Sequence, residues 1–488
     1  MEPDSADNGR AAADRLDALL ARATEERAIL DFPDRPWVVP HHTEDGRRIL
    51  NVLVVGAGQA GISILSTLTR DHVGGVLAID AAAMDEEGPW RKVARMNVLR
   101  TPKQLSGPDA GVPSLSFRRW YKARYGELAW DNLDQIPRLD WCRYLSFVRE
   151  AFELPIRNGV RLDRIVPHGK YLAAEVVSDR GPETLLARKI VLATGIDGGG
   201  GWHVPGHVKA LPRGLWAHTS EPIPFATLKG KRVAVLGAGA SAMDNAAMAL
   251  EAGAASVDQF CRRPLLQPIQ PLAWMGFAGF LRHIGDMDDA WRWRFMSYAL
   301  GLREPFTKDA WNRVSRFSNY RLRVGEACKP LAANGEGVRV GTRSGDQTFD
   351  FLICGTGVEI DHELRPELRH FADDIARWKD RYSPPPDEAD ERLANFPYLS
   401  PSFAFTALKD GAASHLANIH CFNFAATMSF GPSGAAIRPL RYVVPRLTQA
   451  LTRDLFRDDL QDYWDDLQAF IGTEFDGYPA RLAAPARK

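Results

Sequence analysis

Two short glycine-rich runs carry the residue types and spacing best suited to chemistry in this chain. The first is Val54-Val55-Gly56-Ala57-Gly58-Gln59-Ala60-Gly61 and the second is Val235-Leu236-Gly237-Ala238-Gly239-Ala240-Ser241-Ala242. Each follows an apolar β-branched run and precedes a small-residue helical pattern, the strand, tight turn and helix that a dinucleotide pyrophosphate needs. Two such runs in one polypeptide imply two bound dinucleotides and electron transfer between them.

The residues that close each unit differ in charge. Asp80 ends the second strand of the first unit, where the fingerprint expects a carboxylate for ribose hydroxyls. The second unit ends its corresponding strand in Arg262-Arg263. Guanidinium groups hold a 2′-phosphate through paired charge-assisted bonds, whereas a carboxylate repels it. The second unit therefore reads as a site for NADPH in preference to NADH. Ser241-Ala242 replaces the third glycine, either as simple tolerance or to bring a hydroxyl near the pyrophosphate.

The elements that must position these residues repeat as well. Strand, helix and strand patterns over 50–55, up to about 70, and 75–80 return over 232–236, up to about 252, and 256–261. Alternating β patterns over 160–192 lead to Ala193-Thr194-Gly195, and those over 337–348 lead to Gly355-Thr356-Gly357. Residues 81–150 are loop-rich and aromatic. The stretch 264–330 is rich in Trp and Arg, with helical spacing clearest over 286–298; it is either a cap burying aromatics, a substrate wall, or both. A helical arm over 11–30 shows no chemistry, and His41-His42, adjacent on an extended segment, point apart and make a poor metal pair.

Composition narrows the class. The 488 residues carry 61 Lys plus Arg against 61 Asp plus Glu, so no overall field favours nucleic acid or an anionic membrane. Five dispersed cysteines argue against a disulfide framework or a zinc site, and together with a polar start and no membrane span they suggest a cytoplasmic protein. No metal cluster is expected.

Between about 51 and 445 these residues resemble the two-dinucleotide flavoprotein monooxygenases, the group of flavin-containing monooxygenases, Baeyer-Villiger monooxygenases and N-hydroxylases. The resemblance implies an α/β fold of two Rossmann-like domains, the second interrupting the first. After the arm over 1–48, read from its own pattern, it implies the first part of an FAD domain over 49–220, an NADPH domain over 221–357 with a helical insert over 264–330, and completion of the FAD domain with C-terminal helices over 358–488. It implies FAD on the first glycine run and NADPH on the second, with a C4a-(hydro)peroxyflavin oxygenating a small organic substrate with O2. The cofactor carries that chemistry, so no catalytic triad is required.

The resemblance also places Trp90, in Gly88-Pro89-Trp90, near the flavin, with Thr194 and Gly195 beside it. Gly431, Ser433 and Gly434, just before a helical pattern over 438–451, would face the flavin N1/O2 edge with a helix N-terminus behind them. His218 matches the linker motif between the domains, although Pro212 and Pro222 depart from its Baeyer-Villiger form. Arg100 replaces a family Asn, and would stabilise a peroxide anion near the flavin, bind an acidic substrate, or form a structural ion pair. N-, S- or ring hydroxylation is favoured over Baeyer-Villiger oxidation. An NADPH-dependent flavoprotein reductase is the alternative, and a non-catalytic dinucleotide-binding protein a remote one; a homodimer and a monomer are equally compatible.

Overall fold

Apolar runs flanked by glycine build two sheets, the first parallel around its glycine turn and antiparallel over 161–192, the second parallel. A computed structural model describes residues 5–30, 36–105, 107–334, 337–343, 345–409 and 411–472, so the ends of the chain and part of the 1–48 arm lie outside the described residues. In the first sheet, strands run in the order Ile156–Asn158, Val76–Asp80, Arg48–Val55, Gly181–Leu192, Tyr171–Ser178 and Arg161–His168. Strand Ile419–Cys421 returns late in the chain to pair in parallel with Gly181–Leu192. The second nucleotide unit thus interrupts the first. Val52, Leu53, Val54 and Ile190 are fully buried, as expected of parallel strands covered on both faces.

The second sheet is parallel throughout, in the order Trp216–His218, Phe351–Cys354, Arg232–Leu236, Ser256–Cys261 and Tyr320–Val324. Its first strand lies ahead of residue 221, and its last lies inside the 264–330 stretch. In each sheet a glycine turn follows a strand flanked by parallel neighbours on both sides. That is the switch point where doubly wound sheets open a ligand crevice.

The insert is helical over Pro271–Trp274, Ala278–His283, Asp289–Leu302 and Lys308–Ser315. Trp293 is fully buried and donates to the Glu388 carbonyl, whereas Trp274, Trp291 and Trp311 are 60%, 48% and 40% exposed. One tryptophan packs as core and three remain available. The N-terminal helix spans Ser5–Ile29 and the long C-terminal helix Leu440–Asp458. Among the described residues no helix is long and apolar enough to cross a membrane, and no cluster of His, Cys, Asp or Glu could hold a metal.

Candidate functional site

The first glycine of each run adopts the same conformation, with φ +102° at Gly56 and +104° at Gly237. Only glycine takes this conformation without strain, and contact closes the option further. A Cβ on Gly56 would lie 2.5 Å from the Ala193 carbonyl oxygen, and one on Gly237 would overlap that of Gly355. The turn is pressed against the neighbouring strand end in both units. Gly58 and Gly239 have no such crowding: a Cβ on Gly58 makes only ordinary contact with Gly88, and one on Gly239 meets nothing within 4 Å. These second glycines keep the crevice open.

Asp80 stands where Val76–Asp80 ends and closes the first turn. Its Oδ2 accepts from the Ala57 amide at 2.7 Å and its Oδ1 from the Ala82 amide at 2.8 Å. Each oxygen retains a lone pair for a further donor. Gln59 opens helix Gln59–Arg70 with Ala60 and Gly61 behind it, and its side chain accepts from the buried Trp141 indole at 3.3 Å. Trp90 is buried beside Gly88, and its Nε1 has no hydrogen-bond partner among the described residues. Thr194, ahead of Gly195 (φ +73°), accepts from Asn423 at 3.0 Å. Asn423 was not singled out from the sequence; no motif marks it, and only the fold brings it beside Thr194.

The turn at Gly431, Ser433 and Gly434 sits between the insert and the first sheet. Gly431 has φ +67°, and a Cβ there would press on Ile284 at 3.2 Å and Phe280 at 3.3 Å. A Cβ on Gly434 would overlap the Phe422 carbonyl. Ser433 is buried, and its hydroxyl finds no partner among the described residues. This turn does not open the long helix as expected. The helix starts at Leu440 with Pro439 as its N-cap, a residue that has no amide hydrogen to give to a preceding turn. No N-terminal dipole therefore points from 431–434, and the donors available are the turn's own amides and Ser433.

In the second unit, Ala240 begins helix Ala240–Glu251 after Gly239, and the Ser241 side chain is exposed at the turn. Ala242 takes the place of a third glycine. Its Cβ occupies the space that a side chain on Gly355 would need. The two arginines separate in role. Arg263 donates to the Leu302 carbonyl at 2.7 Å and the Gly301 carbonyl at 3.3 Å, capping helix Asp289–Leu302. Arg262 is exposed and makes no hydrogen bond or ion pair to a described residue.

His218 is fully buried on strand Trp216–His218. Its Nδ1 accepts from the Ser220 amide at 3.2 Å, so Nε2 carries the proton and donates to the Gly357 carbonyl at 3.0 Å. Burial lowers its pKa, consistent with the neutral ring. Thr356 donates to the His203 carbonyl. Arg100 pairs with Glu304 at 3.1 Å and donates to the Pro305 carbonyl, so it fastens strand Val98–Pro102 to the end of the insert.

The donors and spaces present fit a dinucleotide at each turn: open second glycines at both, and the unpartnered Ser433 hydroxyl and Trp90 indole around the first. The cysteines do not suit dithiol exchange. All five are buried and free, and burial pushes the Cys328, Cys354 and Cys421 thiols up to about 12.

Comparison with known proteins agrees with this geometry. Residues 53–197 match a family described as FAD-NAD(P)-binding. The chain is 40% identical over 449 residues to an FAD-dependent urate hydroxylase of Xanthomonas campestris pv. campestris, covering 91% of this chain and 93% of that protein. Ornithine hydroxylase of Pseudomonas aeruginosa shares the fold at TM-score 0.65 and 18% identity, over 83% of this chain and 100% of that one. A flavin-containing monooxygenase of Stenotrophomonas maltophilia shares it at TM-score 0.51 and 17% identity, over 82% and 98%. Two linked dinucleotide folds and this extent of identity make the chain a member of the FAD- and NADPH-dependent, two-dinucleotide flavoprotein monooxygenases.

Proposed function

We propose that the chain hydroxylates a ring carbon of a small planar heterocycle of the urate class, consuming NADPH and O2. The observation that carries this reading is the 40% identity, over nearly the whole of both chains, to an FAD-dependent urate hydroxylase. The balance is substrate, O2, NADPH and a proton giving hydroxylated substrate, water and NADP+. A urate ring has no C–H, so the new C–OH forms at a carbon of the ring C=C, the double bond shifts to C=N and a ring N–H proton is lost. When bound, FAD supplies the hydride acceptor and the oxygen-activating group.

The chain's own residues bind and orient. Residues 49–220 and 358–488 would hold FAD. Gly56, Gly58, Gln59, Ala60 and Gly61 receive its pyrophosphate and Asp80 its ribose, while Trp90, Thr194, Gly195, Gly431, Ser433 and Gly434 surround its ring. Residues 221–357 would hold NADPH, with Gly237, Gly239, Ala240, Ser241 and Ala242 at the pyrophosphate and Arg262 on the 2′-phosphate. Arg263 supports Arg262 by fixing the segment beneath it. Gly355, Thr356 and Gly357, joined to His218, would keep the NADPH unit in register with the first.

The test is turnover of urate under ¹⁸O2 by the FAD-loaded protein. One ¹⁸O in the product per NADPH oxidised, without hydrogen peroxide, is expected. NADPH oxidation that yields only peroxide, with urate unchanged, would favour a reductase or oxidase and overturn the reading.

A further inference from the structure

We propose that Arg438 binds the anionic edge of the ring substrate and makes the enzyme selective for planar anions over neutral rings of the same size; this rests on the hydroxylase reading above. Arg438 lies just beyond the Gly431–Gly434 turn, is exposed, and makes no hydrogen bond or ion pair to any described residue. Its neighbour Arg446, by contrast, is engaged by Asp286 at 2.5 Å and the Pro401 carbonyl at 3.3 Å. An arginine left without an acceptor beside a cofactor turn has its five donors available for a ligand.

What surrounds Arg438 selects the ligand. Its guanidinium rests over Gly276: a Cβ there would lie 2.6 Å from Nη1 and 2.9 Å from Cζ. Gly276 stands between Trp274 and Phe277, which are 60% and 48% exposed and meet edge-on with ring centroids 5.5 Å apart. Phe280, 6.0 Å from Trp274 and 6.1 Å from Phe277, connects this aromatic patch to Gly431. A cation, exposed aromatic faces and the turn assigned to the flavin therefore converge. Aromatic faces accept a flat ring, and a guanidinium accepts an anionic edge through two parallel hydrogen bonds. Urate is a planar anion and suits both.

The experiment compares wild type with Arg438→Met, Arg438→Lys and Gly276→Ala, each loaded with FAD. Gly276→Ala displaces the guanidinium without removing it, because the two nearest atoms in its way are the far end of a flexible side chain, the Ala273 carbonyl oxygen coming next at 3.1 Å. In Arg438→Met the KM for urate should rise about tenfold to a hundredfold, the range of a lost hydrogen bond to a charged group. The KM for NADPH and the inhibition constant of a neutral, fully methylated purine such as caffeine should stay put. Arg438→Lys should recover part of the loss, and Gly276→Ala should raise the KM for urate several-fold. An unchanged KM for urate in Arg438→Met, or an equal rise in the KM for NADPH, overturns the inference. If Arg438→Met loses FAD, Gly276→Ala decides: an unchanged KM for urate overturns the inference there too. Wild-type protein that neither binds nor oxidises urate overturns the proposed function instead.

Discussion

At the residue scale, the two glycine runs solve one packing problem in opposite ways. A Cβ on Gly61 would overlap the carbonyl of Gly56, so the first unit needs glycine on its helix. The second unit places Ala242 there, and the strand yields instead: Gly355 is glycine where the first unit has Ala193. The alanine is tolerated because its neighbour gave up a side chain. Gly355→Ala is therefore expected to cost about 1–3 kcal/mol by overpacking, read as a lower Tm together with weaker NADPH binding. Gly239→Ala, facing open space, should leave Tm within a degree or two while raising the KM for NADPH at least tenfold. Equal effects of the two substitutions on Tm would refute this division between packing and binding.

At the scale of elements, what was legible in the sequence follows from local rules. The glycine turns, their strands and the Thr-Gly strand ends are specified by short-range backbone demands, so Gly56, Gly237 and Asp80 could be placed from spacing alone. The long helix starts two residues later than expected because Pro439, one position past Arg438, is its N-cap. Contacts made by distant segments left no local signal. Asn423 reaches Thr194, and Arg313 joins the Arg95 carbonyl at 2.8 Å to Asp244 at 3.2 Å and Glu251 at 2.9 Å, all across long stretches of chain. Arg100 illustrates the same limit, since its ion pair with Glu304 depends on where the insert ends. Its role as a clasp predicts that Arg100→Gln lowers Tm by a few degrees at most, as for a partly exposed pair, and changes kcat less than threefold. A hundredfold fall in kcat with Tm unchanged would return Arg100 to the chemistry.

At the scale of the whole molecule, the interrupted first domain is closed by a segment that carries two buried histidines. His420 lies on the returning strand Ile419–Cys421, and His362 follows strand Val358–Ile360. Burial lowers both from 6.5 to about 4, with nearby Lys189 and Arg377 acting in the same direction. In each ring Nε2 has no partner among the described residues, so a second proton would bury an uncompensated charge. Because the folded values are depressed, the stability each contributes is fully present above pH 6.5 and is lost as pH falls towards 4. A shift of this size is worth about 3 kcal/mol per histidine, a large part of the net stability of an ordinary domain. Since the returning strand also brings Asn423 and the 431–434 turn to the first sheet, acid should release FAD as it loosens the fold. Thermal unfolding followed by flavin fluorescence should show Tm falling steadily from pH 6.5 to 4.5. His420→Gln, which keeps a donor for the Ser402 carbonyl but cannot take up the proton, should flatten that slope by roughly half. A slope unchanged by His420→Gln would show that the closing segment does not set the acid limit of this enzyme.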